Sequence, residues 1–158
     1  MRLATILIIL CSALPALNAQ SKWPAYGGDL GNTRYSALDQ INPRNVTRLA
    51  QTWIFDTRPR GSAGAQRSAQ VTPLVVNDVL YAVTAYQSLV ALQPETGQLL
   101  WTFTHRRGGR PPRGLAYWPG DRTNPPEIIF GTGDGFLLAV SAKTGKAVSG
   151  SGRMARSI

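Results

Sequence analysis

The chain has 158 residues, 43% of them apolar, which allows one domain of ordinary size with its own core. Its net charge is +9, and the arginines that dominate this charge are scattered apart from one cluster at Arg106, Arg107, Arg110 and Arg113. No basic helix and no aromatic RNA-binding signature accompany them, so nucleic acid is not an expected partner and most of the charge reads as solvated surface. Cys11 is the single cysteine, which excludes a disulfide framework.

Residues 1–19 have the layout of a secretory signal peptide. Arg2 is followed by an apolar run over residues 3–14, and Ala16, Leu17, Asn18 and Ala19 offer a small-residue cleavage point. The run is shorter than the roughly 20 apolar residues that a membrane span needs. Cleavage after Ala19 would send the chain to the periplasm or outside the cell, with no cysteine left for disulfide or thiolate chemistry.

Residues 20–48 are rich in Gly, Asn, Asp and Pro with isolated aromatics, and read as an ordered but irregular lead-in. Short strands then follow in order. A loosely alternating stretch is expected as a strand over 49–55, and strands over 72–76 and 79–84 flank the turn residues Asn77 and Asp78. Residues 88–92 and 98–103 flank a second turn at 93–97, and 127–131 and 136–141 flank a third at 132–135. A further strand is expected over 115–118, closed by a turn at Pro119, Gly120 and Asp121. No window shows helical periodicity, so the fold class is all-β. The last ten residues, SGSGRMARSI, are expected to end without a terminal strand, with 153–158 as an atypical tail.

One internal repeat is visible. SLVALQPETGQLLW over 88–101 matches FLLAVSAKTGKAVS over 136–149, and the Thr-Gly pairs place Gly97 and Gly145 48 residues apart. A repeat of this length built from four short strands marks a propeller blade, in which each sheet buries its faces against its neighbours and the Thr-Gly turn joins the two outer strands. Residues 49–152 hold fewer than three such repeats, whereas propellers close with about four to eight blades. The expectation is a partial β-propeller, the first two to three blades of a longer ring.

Several motifs then carry a family resemblance. Trp23, the run Tyr26-Gly27-Gly28-Asp29, the run Asn32-Thr33-Arg34-Tyr35-Ser36 and Gln40-Ile41-Asn42 open the chain. Thr72-Pro73-Leu74-Val75-Val76, the repeat ending at Trp101, the block RGLAYWPGD over 113–121 and Gly131-Thr132-Gly133-Asp134-Gly135 follow in the same order. Together they resemble the N-terminal portion of dehydrogenases dependent on pyrroloquinoline quinone (PQQ), which oxidise alcohols, polyols and sugars in the periplasm. The resemblance implies an eight-bladed propeller with PQQ on its axis beside a calcium ion, a small alcohol, polyol or sugar as substrate, and a respiratory-chain electron acceptor.

Two cofactor-binding residues are carried over. Gln70 stands three residues before the proline of Thr72-Pro73-Leu74, where the family often places a carboxylate or amide facing the quinone. An amide can both donate to and accept from a quinone edge. Arg113 stands where the family pairs an arginine with a quinone carboxylate, and a guanidinium suits that bidentate pairing. Pro111 and Pro112 replace the adjacent cysteines of one alcohol-oxidising branch, which favours the branch with glucose, quinate and related polyol dehydrogenases. The family's catalytic aspartate and calcium ligands belong to later blades, so no catalytic or metal residue is assigned and these 158 residues are expected to be inactive by themselves. The alternative is a non-enzymatic scaffold built from similar repeats, like the lipoproteins that help assemble outer-membrane proteins.

Overall fold

A computed structural model describes residues 23–58, 68–105 and 114–150, and the backbone of 153–154. The expected signal peptide lies outside these residues. Among them no helix is long and apolar enough to cross a membrane. The fold is two four-stranded antiparallel sheets, with one 3-10 turn over Val46–Arg48 in the lead-in.

The first sheet contains β1 (Leu74–Val76), β2 (Val79–Val83), β3 (Ser88–Leu92) and β4 (Leu99–Thr104), in that order. Asn77 and Asp78 join β1 to β2 with φ of 50° and 58°, the left-handed pair that a tight hairpin of the I′ type demands. Asn and Asp tolerate that region better than other side chains, which explains a hairpin without glycine. The second sheet contains β5 (Ala116–Trp118), β6 (Glu127–Gly131), β7 (Phe136–Ser141) and β8 (Arg153–Met154). Gly120 adopts φ +81° in the turn after β5, and the Asp121 carboxylate closes that turn. It accepts from the backbone N–H groups of Thr123 at 2.7 Å and Asn124 at 2.8 Å. These bonds, with those from the Asn124 amide and Thr123 hydroxyl, hold its pKa well below the usual carboxylate range.

Strand alternation decides which faces meet. Leu74, Tyr81 and Ala91 lie directly across from one another on β1, β2 and β3, and Val83 lies across from Leu89. This face packs on Ile128, Phe130, Leu138 and Val140 of the second sheet, and all nine residues share one buried cluster. The period-2 pattern thus becomes a sheet-on-sheet core, and β1 touches β5 where the sheets approach. This is the packing of two adjacent propeller blades.

The 48-residue repeat is visible as repeated contacts. The Trp53 indole N–H donates to the Pro94 carbonyl at 2.9 Å, and that of Trp101 to the Ala142 carbonyl at 3.2 Å. Gly97 at φ +69° and Gly145 at φ +68° bring their turns onto the same two indoles. A Cβ on Gly145 would stand 2.6 Å from the ring of Trp101. Each tryptophan therefore pins its segment, residues 51–56 for Trp53 and β4 for Trp101, to a Thr-Gly turn further along the chain.

Two expectations are corrected. Residues 49–55 form no strand, because the segment has no ladder neighbour among the described residues. The tail, expected to lack a strand, supplies β8, whose backbone pairs with β7 through Phe136↔Met154 and Leu137↔Arg153. After the second Thr-Gly turn the chain makes only an isolated bridge, Val140↔Ala147, then bends at Gly150 with φ +84° before β8. The fourth position of that sheet is thus filled in two pieces, interrupted by the glycines of SGSG.

Candidate functional site

Antiparallel order sorts the loops to two ends of the blades. One end collects the approaches to β1 and β5, the β2–β3 and β6–β7 turns, and the end of β4. Gln70 is exposed at this end, on the approach to β1. Arg113, with Arg106, Arg107, Arg110, Pro111 and Pro112, lies outside the described residues. The next residue, Gly114, is exposed on the approach to β5, with no atom within 4 Å of where a Cβ would stand. The topology therefore brings Gln70 and Gly114 to one end of neighbouring blades.

The two turns at this end are built alike. The Thr84 amide donates to the Ser88 carbonyl at 2.7 Å, and the Thr132 amide to the Phe136 carbonyl at 2.8 Å. Each threonine hydroxyl also accepts the amide of the residue four positions on, at 3.2 Å for Ser88 and 3.1 Å for Phe136. Both threonines are buried, so these bonds satisfy polar groups that would otherwise cost free energy. The Thr132 hydroxyl additionally donates to the Asp134 carboxylate. His105 is buried at the end of β4, its ring centroid 5.7 Å from that of Phe130. The threonine bonds fix the conformation of both turns.

Asp56 and Arg58 carry the described charge pair of the segment before the first sheet. Their 2.7 Å contact is exposed, and the guanidinium, with its backbone N–H, holds the Asp56 carboxyl at about 2. An exposed pair of this kind contributes little to stability.

At the opposite end a cleft of about 370 Å³ runs along the seam between the blades, lined by Asn77, Tyr81, Trp101, Tyr117 and Lys143 among others. The Tyr81 hydroxyl and the Trp101 indole N–H both donate to the Ala142 carbonyl. Burial, with a smaller contribution from Tyr117, pushes the Tyr81 phenol up to about 12. The Tyr81 and Trp101 donors are thus engaged in holding the seam, and the cleft lies away from Gln70. Among the described residues no group of three or more His, Cys, Asp or Glu is placed to hold a metal ion.

Alignment of the Thr-Gly turns alone misses the buried threonines and the role of Trp53. The signal for both is the same spacing carried further, since Thr84 and Thr132, like Trp53 and Trp101, also stand 48 residues apart.

Comparison with known proteins gives a consistent picture. The family model described as PQQ, glucose/ethanol/alcohol dehydrogenase, beta-propeller domain, matches residues 23–156. The dehydrogenase subunit of a quinone alcohol dehydrogenase from Gluconobacter oxydans is 39% identical over 135 residues, covering 80% of this chain and 16% of that protein. Quinoprotein glucose dehydrogenase A from Acinetobacter calcoaceticus is 31% identical, covering 89% of this chain and 20% of that protein. The crystal structure of quinohemoprotein alcohol dehydrogenase from Comamonas testosteroni superposes with a TM-score of 0.65 at 31% identity, over 81% of this chain and 19% of that one. The chain thus spans about a fifth or less of the length of these relatives.

Proposed function

Because the chain belongs to the PQQ glucose/ethanol/alcohol dehydrogenase β-propeller family, we propose that it supplies part of the cofactor-binding wall of a periplasmic dehydrogenase that oxidises alcohols, polyols or sugars. The observation that carries this reading is the placement of Gln70 and Gly114 at one end of two adjacent blades. That end offers an exposed amide on the approach to β1, and Arg113 precedes Gly114 in the sequence.

The residues fit a flat, polyanionic quinone. Gln70 can donate its amide N–H to a carbonyl oxygen and accept through its own oxygen, fixing the orientation of a ring edge. Arg113 would neutralise a carboxylate and hold it in two parallel bonds. PQQ, when bound, supplies the two-electron acceptor for hydride leaving the carbon that bears the substrate hydroxyl. Calcium and the base that takes the hydroxyl proton are assigned to other blades. Turnover is accordingly proposed for a complete propeller, with a respiratory-chain acceptor taking the electrons, and not for residues 23–156 in isolation.

The test is a graft in which residues 23–156 replace the matching span of the Comamonas testosteroni alcohol dehydrogenase, loaded with PQQ and calcium. Quinone-dependent dye reduction with ethanol is expected at a rate near that of the parent. A folded graft with the parent's Tm but no quinone-dependent turnover would favour the scaffold reading and overturn the enzymatic one.

A further inference from the structure

We propose that the cleft on the seam between the two blades is a second ligand site, separate from the quinone end, that takes a small aromatic carboxylate. Both sheets line it, through Asn77 in the β1–β2 hairpin, Tyr81 on β2, Trp101 on β4, Tyr117 on β5 and Lys143 in the turn after β7. Its volume of about 370 Å³ lies in the range of small-molecule pockets.

The donors around the cleft divide into two groups. The Tyr81 hydroxyl and the Trp101 indole N–H are engaged with the Ala142 carbonyl. Tyr117 differs, because its oxygen accepts from the Asn77 amide across the seam at 3.3 Å. An accepting phenol keeps its own proton to donate, and that proton meets no acceptor among the described residues. Lys143 is exposed and, among the described residues, forms no ion pair and is the one charged side chain lining the cleft. A cation and a phenol proton on one cleft suit a carboxylate, whose two oxygens can take both. The rest of the lining is largely apolar, with the Tyr81 and Trp101 rings 5.9 Å apart at a 45° tilt. Ring walls of this kind favour an aromatic body over an aliphatic chain. The net charge of +9 further favours the arrival of an anion.

Naphthoate is the probe, titrated into the full chain while the tryptophan indole N–H resonances are followed by NMR. A saturable shift of the Trp101 resonance is expected, with a dissociation constant of about 0.1–1 mM for a ligand of this size. Naphthamide, of the same shape without the charge, should bind about tenfold more weakly, and so should octanoate, which has the charge without the rings. Lys143→Gln should weaken naphthoate about tenfold, and Lys143→Arg should restore it. The same titration of the graft described above, read by calorimetry, keeps the test independent of how the 158 residues fold alone, because Lys143→Gln must weaken binding there too. No saturable binding to either folded protein would overturn the proposal. So would equal affinity for naphthoate and naphthamide, equal affinity for naphthoate and octanoate, or unaltered affinity in Lys143→Gln.

Discussion

Replacing Trp101 by alanine is expected to lower stability by about 3 kcal/mol, the lower end for removing a large aromatic, because the indole is only half-buried. In a domain of this size that corresponds to a Tm lower by about 6–12 °C in thermal unfolding. The loss comes from packing more than from the hydrogen bond. The Ala142 carbonyl keeps a donor in the Tyr81 hydroxyl at 3.3 Å, so no buried acceptor is stranded. Trp101→Phe, which keeps an aromatic ring against the turn while removing the N–H and the second ring, should cost less, about 1–2 kcal/mol. Equal losses for the two substitutions would show that the indole bond, not the seam packing, ties the blades together.

The partner of that indole should be nearly as sensitive. Gly145→Ala places a Cβ in a backbone region at φ +68° that L residues avoid, at about 1–2 kcal/mol. The same Cβ would stand 2.6 Å from the Trp101 ring, adding an overpacking cost of about 1–3 kcal/mol. A combined loss of about 2–5 kcal/mol is expected from denaturant unfolding. The two contributions separate in the Trp101→Ala background, where the clash disappears and only the backbone cost remains. Strict additivity of Gly145→Ala and Trp101→Ala would contradict this arrangement of the seam.

The parts of this fold that were legible in the sequence are those whose causes are local. The strands around Asn77 and Asp78 follow from period-2 alternation beside residues that tolerate positive φ, and β1 and β2 form there. The two Thr-Gly turns follow from glycines at left-handed positions. The stretch 49–55 alternates as well as β4 does, yet a strand is a relation between two segments and alternation describes only one. β8 fails in the other direction. Its two residues pair with β7 through backbone groups, and the SGSG run before it carries no apolar period to announce it. The candidate site divides in the same way. Gln70 and Arg113 were proposed from motif order; the fold places Gln70 exposed on the approach to β1, and Arg113 lies outside the described residues. The buried threonines that stiffen that end emerge only when the 48-residue spacing is followed beyond the turns.

The central claim is that the end of the blades bearing Gln70 and Gly114 faces the quinone. It is tested most directly by titrating PQQ, with calcium present, into the graft carrying residues 23–156 and following cofactor absorbance. Gln70→Ala and Arg113→Ala should each weaken binding about tenfold, and Arg113→Ala up to about a hundredfold, as expected for losing a bond to a charged group. Unaltered PQQ affinity in both folded variants would contradict the account.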